Sequence, residues 1–230
     1  MPSQVDGEHE LVIRILVVDD HPLVRQALLQ VLNTQNDFKV VAEASDGEEA
    51  IRLATELQPD VVIIDISMPK INGIQATRII KRNMPDIAIV VLTIYDDSDH
   101  VFSILEAGAD AYLTKRAFGN DVIHAVHGVA AGETILGSPT SKTLLKEALK
   151  NIAKSGHLNS GEELNYRELE ILKLVANGIS NKDVANQLSL SVRTVKNYLV
   201  GIFNKLDVSS RTAAVIKALK EGIITFDDVE

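Results

Sequence analysis

Five short apolar runs, each followed by a segment of helical period, constrain this chain more than any other feature. They occupy residues 13–18, 38–44, 61–66, 87–92 and 110–113. Runs this short and rich in Val and Ile, without polar alternation, read as strands buried on both faces, as in a parallel sheet covered by helices. Strict βα alternation implies a doubly wound sheet, and right-handed crossovers leave few topologies. The expected fold is an α/β flavodoxin-like unit, a parallel five-stranded sheet of order 2-1-3-4-5.

Ligands of such sheets bind beyond the carboxyl ends of the strands. The third run delivers Asp65 there and stops at Met68-Pro69. Taken alone, a strand-end Asp reads as a turn cap. Its company changes that reading. The first run ends in Asp19-Asp20, the fourth at Thr93, and Lys115 follows the fifth. In the order 2-1-3-4-5 all five groups face one crevice. Three clustered carboxylates repel each other unless a cation joins them, and an all-oxygen set suits Mg²⁺. Asp65 beside a metal is placed to attack phosphorus as a nucleophile, with Lys115 offsetting charge on the phosphoryl oxygens.

At 230 residues the chain has room for two domains, and its charge divides accordingly. Residues 1–137 carry 10 Lys+Arg against 21 Asp+Glu, whereas residues 138–230 carry 13 against 11. Within 179–220 there are 7 basic residues, Lys182, Arg193, Lys196, Lys205, Arg211, Lys217 and Lys220, against 2 acidic ones. A basic module behind an acidic one suggests nucleic acid as a partner of the second, with a solvated helix face as the bland alternative. The absence of cysteine excludes disulfides and thiolate metal sites and fits a cytoplasmic location. The acidic first residues have no signal-peptide pattern, and no apolar run is long enough for a membrane helix.

The second domain reads as all-α. Asn165 to Glu168 and Ser180 to Asp183 have capping-box form, and Ser189-Leu190-Ser191 is a tight turn between two short helices, a helix-turn-helix. On the helix from Val192 to Leu206, a stripe of Val192, Val195, Leu199, Ile202, Phe203 and Leu206 is expected to be core. The opposite side carries Arg193 and Asn197, flanked by Lys196, Val200 and Thr194. Such a face has the donors that base edges and phosphates in a major groove require. The expected division is a tail 1–11, a first domain 12–131, a linker 132–163 with an amphipathic helix over 141–153, a helix-turn-helix domain 164–224 and a tail 225–230.

Asp19-Asp20, Asp65 with Met68-Pro69 and Gly73, Thr93, and Tyr112 through Lys115 are arranged as in the receiver domains of two-component response regulators, which residues 12–131 resemble almost without a gap. The stretch 179–198, ISNKDVANQLSLSVRTVKNY, with Lys205-Leu206 and Arg211-Thr212, looks like the LuxR-type helix-turn-helix. Together they resemble the NarL/FixJ branch. That resemblance implies Asp65 as phosphoacceptor for a sensor histidine kinase, and Asp19, Asp20, Asp65 and the Ser67 carbonyl as Mg²⁺ ligands. It implies Lys115 as phosphate partner and Thr93 with Tyr112 as the switch pair. On double-stranded promoter DNA it implies base contacts from Lys196 and Asn197 and backbone contacts from Lys182, Arg193 and Thr194. The last helix, Ser210 to Glu221, would be the surface of a homodimer formed in the active state.

Departures are Arg116 where many receivers have proline, Ile94 where alanine is common, Tyr198 in place of histidine, and Val200 where some relatives have lysine. Two readings compete with a phosphorylation-controlled transcription factor. One is a DNA binder whose receiver is only a protein-interaction module. The other is a phosphatase resembling the haloacid-dehalogenase family, which needs a second Asp two residues after the nucleophile; here that position is Ser67. Without that acid the chain is not expected to be an enzyme beyond phosphorylating and slowly dephosphorylating its own Asp65. His124 and His127, one helical turn apart, read either as half of a metal site or as a solvated face.

Overall fold

The five apolar runs fold as parallel strands because each is followed by a helix that covers one face and returns the chain to the same edge. The computed structural model describes residues 12–94, 98–116, 119–136, 164–225 and 228–229. The first half runs β1 (Ile13–Val18), α1 (Pro22–Leu32), β2 (Phe38–Ala44), α2 (Gly47–Leu57), β3 (Val61–Asp65), α3 (Gly73–Asn83), β4 (Ala88–Thr93), α4 (Ser98–Glu106), β5 (Ala111–Thr114) and α5 (Asn120–Ala130). The strands stand in the expected order 2-1-3-4-5. Side chains alternate between two apolar layers. Leu16, Val18, Val62 and Ile64 pack with Ala54 of α2, Ile80 of α3 and Ile104 of α4. Ile15, Val17, Val61 and Ile63 pack with Leu28 of α1 and Val122 and Val126 of α5.

A sixth strand, β6 (Ile135–Leu136), extends the sheet beyond β5 within the segment read from sequence as linker. Gly132, at φ 82°, turns the chain back after α5. The Ile135 amide then donates to the Asp110 carbonyl at 3.0 Å. Two residues carry too little apolar pattern to announce a strand. The expected helix over 141–153 lies outside the described residues.

The second half consists of α6 (Tyr166–Ala176), α7 (Asn181–Gln187), α8 (Val192–Lys205) and α9 (Arg211–Lys220). Each begins at a side chain that accepts an N3 amide: Asn165, Ser180, Ser191 and Ser210. Such caps stabilise a helix by about 1 kcal/mol each. Ser189, at φ 55°, makes the turn between α7 and α8. Val195, Leu199, Ile202 and Leu206 are core as expected; Val192 is not, being 40% exposed at the first turn of α8, before the helix meets its neighbours.

The halves dock. Lys220 of α9 bonds Glu106 of α4 at 2.6 Å and lies 4.9 Å from the Phe102 ring centroid. Thr212 meets Thr134 at 3.4 Å, and Arg211 donates to the Gly132 carbonyl at 3.2 Å. Between the halves lies a cavity of ≈ 470 Å³, with Lys196 and Val200 of α8 on one wall and Val12, Asp60 and Asp86 on the other.

Candidate functional site

β1 and β3 are paired neighbours at the point where strand order reverses, which brings Asp19 and Asp65 together. Both are nearly inaccessible, at 1% and 3% exposure. Lys115, just past β5, reaches back between them, with Nζ 2.8 Å from Asp19 Oδ2 and 3.1 Å from Asp65 Oδ2. Its own amide donates to the Thr93 carbonyl at 2.7 Å, fixing the ends of β4 and β5 relative to each other. Asp19 is oriented by the His21 amide at 2.9 Å, while Arg25 holds its carbonyl at 2.7 Å.

Burial pushes the Asp65 carboxyl above the usual carboxylate range; the Lys115 charge opposes the rise and Asp19 adds to it. For Lys115 burial acts downward, but its hydrogen bond to Asp19 and the Asp65 charge prevail, so its ammonium is held above the usual lysine range. One ammonium thus faces two buried carboxylates, with Asp20 beside them. His21 Nδ1 lies 2.6 Å from Asp20 Oδ1, yet that oxygen is solvent-inaccessible and has no hydrogen bond in this geometry. Asp19, Asp20 and His21 offer ligand atoms within 4.8 Å of one another. Excess negative charge on clustered carboxylate oxygens fits a hard divalent cation.

Thr93 and Tyr112 are fully buried. Tyr112 belongs to the apolar cluster that also holds Val91 and Ile104. Ser67 is exposed, and Ile94 stands 68% exposed after β4. Gly73 is required by close approach: a Cβ there would run into the Asp65 carbonyl oxygen and crowd Ile66 Cα. Gly73→Ala is expected to destabilise the receiver by about 1–3 kcal/mol through overpacking against rigid backbone. Urea denaturation of the two proteins checks this, and equal midpoints would contradict it.

The helix-turn-helix presents Lys182, Arg193, Lys196 and Asn197 to solvent, and Thr194 at the first turn of α8, its hydroxyl 2.8 Å from that of Ser191. Charge counting overstates this surface. Of the seven basic residues in 179–220, Lys205 bonds Glu168, Lys217 pairs with Glu221 and Lys220 with Glu106. Arg211 is buried and donates to the carbonyls of Val175 and Ile179 and to Asn181 Oδ1. Of the histidine pair, His127 bonds Asp37 at 2.8 Å and packs on Phe38, while His124 is exposed.

A parallel α/β unit with a carboxylate pocket at its switch point, docked to a helix-turn-helix, defines a regulator with an input and a DNA-binding output. Residues 15–127 match the response regulator receiver domain, and residues 162–218 match the bacterial regulatory proteins of the luxR family. The chain is 40% identical over 213 residues to the transcriptional regulatory protein LiaR of Bacillus subtilis, covering 92% of this chain and 99% of that one. It is 36% identical over 214 residues to the response regulator VraR of Staphylococcus aureus, covering 93% and 100%. A LuxR-family two-component response regulator from Aurantimonas sp. superposes with a TM-score of 0.57 at 33% identity, over 60% of this chain and 99% of that one. The chain belongs to the response regulators that join a receiver to a LuxR-type DNA-binding domain. No helix among the described residues is long and apolar enough to cross a membrane.

Proposed function

We propose that a phosphoryl group accepted on Asp65 controls DNA binding by α8. The observation that carries this reading is the convergence of Asp65, Asp19 and Lys115 within 3.1 Å at the strand ends. An Asp65 carboxylate oxygen attacks the phosphorus of a sensor kinase's phosphohistidine whose ring is protonated on its other nitrogen; the O–P bond forms as the P–N bond breaks, leaving an acyl phosphate and a neutral imidazole that keeps that proton. Lys115 lies within reach of the phosphoryl oxygens and offsets their charge, and the Thr93 hydroxyl donates to them. Asp19, Asp20, Asp65 and the Ser67 carbonyl would hold Mg²⁺, which when bound neutralises charge on the transferring group. Ser67 stands where a phosphatase of the competing kind would need its acid. Hydrolysis of the acyl phosphate is therefore slow, and Asp65 holds phosphate for a time rather than turning over substrate.

Output depends on the docking of the halves. Lys196 and Val200 line the cavity facing the receiver. Lys196 and Asn197 are the proposed base contacts, and Lys182, Arg193 and Thr194 the proposed backbone contacts, so the docked arrangement is the DNA-incompetent one. Thr93 ends β4, the strand that leads into α4, and α4 carries Glu106 and Phe102 against Lys220. Movement of Thr93 toward the phosphate shifts α4 and loosens that contact, freeing α8 and leaving α9 to pair with a second copy on double-stranded DNA. Phosphate acts only through its differential interaction with the docked and open states. The protein works in the cytoplasm, where such kinases present their phosphohistidine.

The test is DNA affinity before and after treatment with acetyl phosphate and Mg²⁺, measured on sites recovered by genome-wide footprinting. Phosphorylation is expected to tighten binding, and Lys196→Ala to weaken it by ~1 to 3 kcal/mol in either state. Equal affinity of the two forms would favour a receiver that serves only as a protein-interaction module.

A further inference from the structure

A second cleft between the halves, of ≈ 590 Å³, opens between α3 of the receiver and α9. Its charged lining is Arg78, Arg82, Lys217 and Lys220 against Glu106 and Asp207. Lys220 is committed to Glu106, and Lys217 to Glu221. Arg78 and Arg82 are one helical turn apart on the exposed side of α3, and among the described residues neither forms an ion pair or hydrogen bond. The carboxyl end of α3 accounts for Arg82, which lies in its last turn, but not for Arg78 in its middle.

The placement is unexpected on electrostatic grounds. Residues 1–137 hold 21 acidic and only 10 basic side chains, yet two unpaired arginines of that half face two lysines of the other. Glu106 and Glu221 neutralise the two lysines, so the arginines carry the cleft's unbalanced positive charge, only partly offset by Asp207. Arginine forks bind phosphate oxygens bidentately, and two of them one turn apart suit adjacent phosphoryl groups better than a single one. The cleft also exceeds the size of one phosphate.

We infer that this cleft is an anion site bridging the two domains, that it takes a small multivalent phosphate, and that its occupancy holds the protein docked. The regulatory half of the inference rests on the docked arrangement being DNA-incompetent; the binding half does not. A ligand that touches both domains binds only where both are present, so it stabilises docking by mass action. At tenfold above its dissociation constant it lowers the DNA affinity of the unphosphorylated chain about elevenfold.

Inorganic tripolyphosphate is the probe, titrated calorimetrically into the full chain in EDTA, which keeps metal-bridged binding at Asp65 out of the measurement. The Arg78→Gln/Arg82→Gln protein is expected to bind at least about tenfold more weakly, and Lys217→Gln, on the opposite wall, to bind more weakly as well. Sulfate at matched ionic strength should not compete. Unchanged binding by the double variant overturns the site. Unchanged binding by Lys217→Gln overturns the bridge, and loss of binding in Lys196→Ala would place the anion on the DNA-contacting face instead. With tripolyphosphate tenfold above its dissociation constant, the DNA affinity of the unphosphorylated parent should fall about elevenfold and that of the Arg78→Gln/Arg82→Gln protein by much less; an equal fall in the two would overturn the regulatory half. Every binding arm is read without DNA or phosphorylation, so failure of the phosphorylation reading leaves its outcome intact.

Discussion

Asp65→Asn protein given Mg²⁺ and acetyl phosphate is expected to incorporate less phosphate than the parent by a factor on the order of 100 or more, since the proposed nucleophile is gone. The label on the parent should be acid-stable and base-labile, as an acyl phosphate is. Equal labelling of the two proteins would sink the assignment. The same substitution has an opposite signature in stability. Burial raises the Asp65 pKa above its value in the unfolded chain. A raised carboxyl favours folding only while protonated; that contribution is present below the unfolded pKa and is lost as pH rises through the folded value. At neutral pH the ionised group is therefore a cost, and removing its charge in Asp65→Asn should raise the receiver's thermal midpoint when Mg²⁺ is absent. Magnesium is expected to oppose this difference. At tenfold above its dissociation constant it stabilises the parent by about 1.4 kcal/mol and the variant by less. Melting curves with and without Mg²⁺ read both effects, and a lower midpoint for Asp65→Asn in EDTA would contradict the strain attributed to the carboxylate cluster.

Arg211→Ala is expected to cost about 3 to 5 kcal/mol, the largest loss foreseen in the second half. The guanidinium is 6% exposed, and burial lowers its pKa to about 10. It donates to the carbonyls of Val175, Ile179 and Gly132 and to Asn181 Oδ1, at 2.6 to 3.2 Å. On its removal the Val175 carbonyl keeps the Gly178 amide at 3.0 Å, but Asn181 Oδ1 and the Ile179 and Gly132 carbonyls lose this donor, and a buried acceptor left unpaired costs about 1–3 kcal/mol before relaxation. Lysine is no remedy, because one ammonium cannot reach four acceptors in the plane of a fork. Chemical denaturation followed by a probe in the second half measures the loss, and a change under 1 kcal/mol would mean that the network carries little.

The convergence of the first site was legible because each group proposed to react stands at the end of an apolar run. Once the strand order is known, Asp19, Asp65 and Lys115 must converge. β6 was hidden because two residues make no pattern. Arg211 was misread for a different reason: counted with Lys182 and Lys196 as charge for DNA, it is consumed by backbone carbonyls that sequence cannot count. Docking was equally hidden, since Glu106 and Lys220 are 114 positions apart and each looks like an ordinary surface charge. Arg78 and Arg82 carried no signal either, because what sets them apart is the want of a partner in the folded molecule.

Arg211 also limits what genetics can reveal here. The side chain that ties α6 and α7 together is the one that reaches across to Gly132, so foldability and restraint share a residue. With docking as the proposed restraint, a selection for alleles that activate without a signal would recover changes at Lys220, Glu106 or Thr134, whose bonds join the halves. It would pass over Arg211, because any allele that released the clasp there would also discard the domain it was meant to set free.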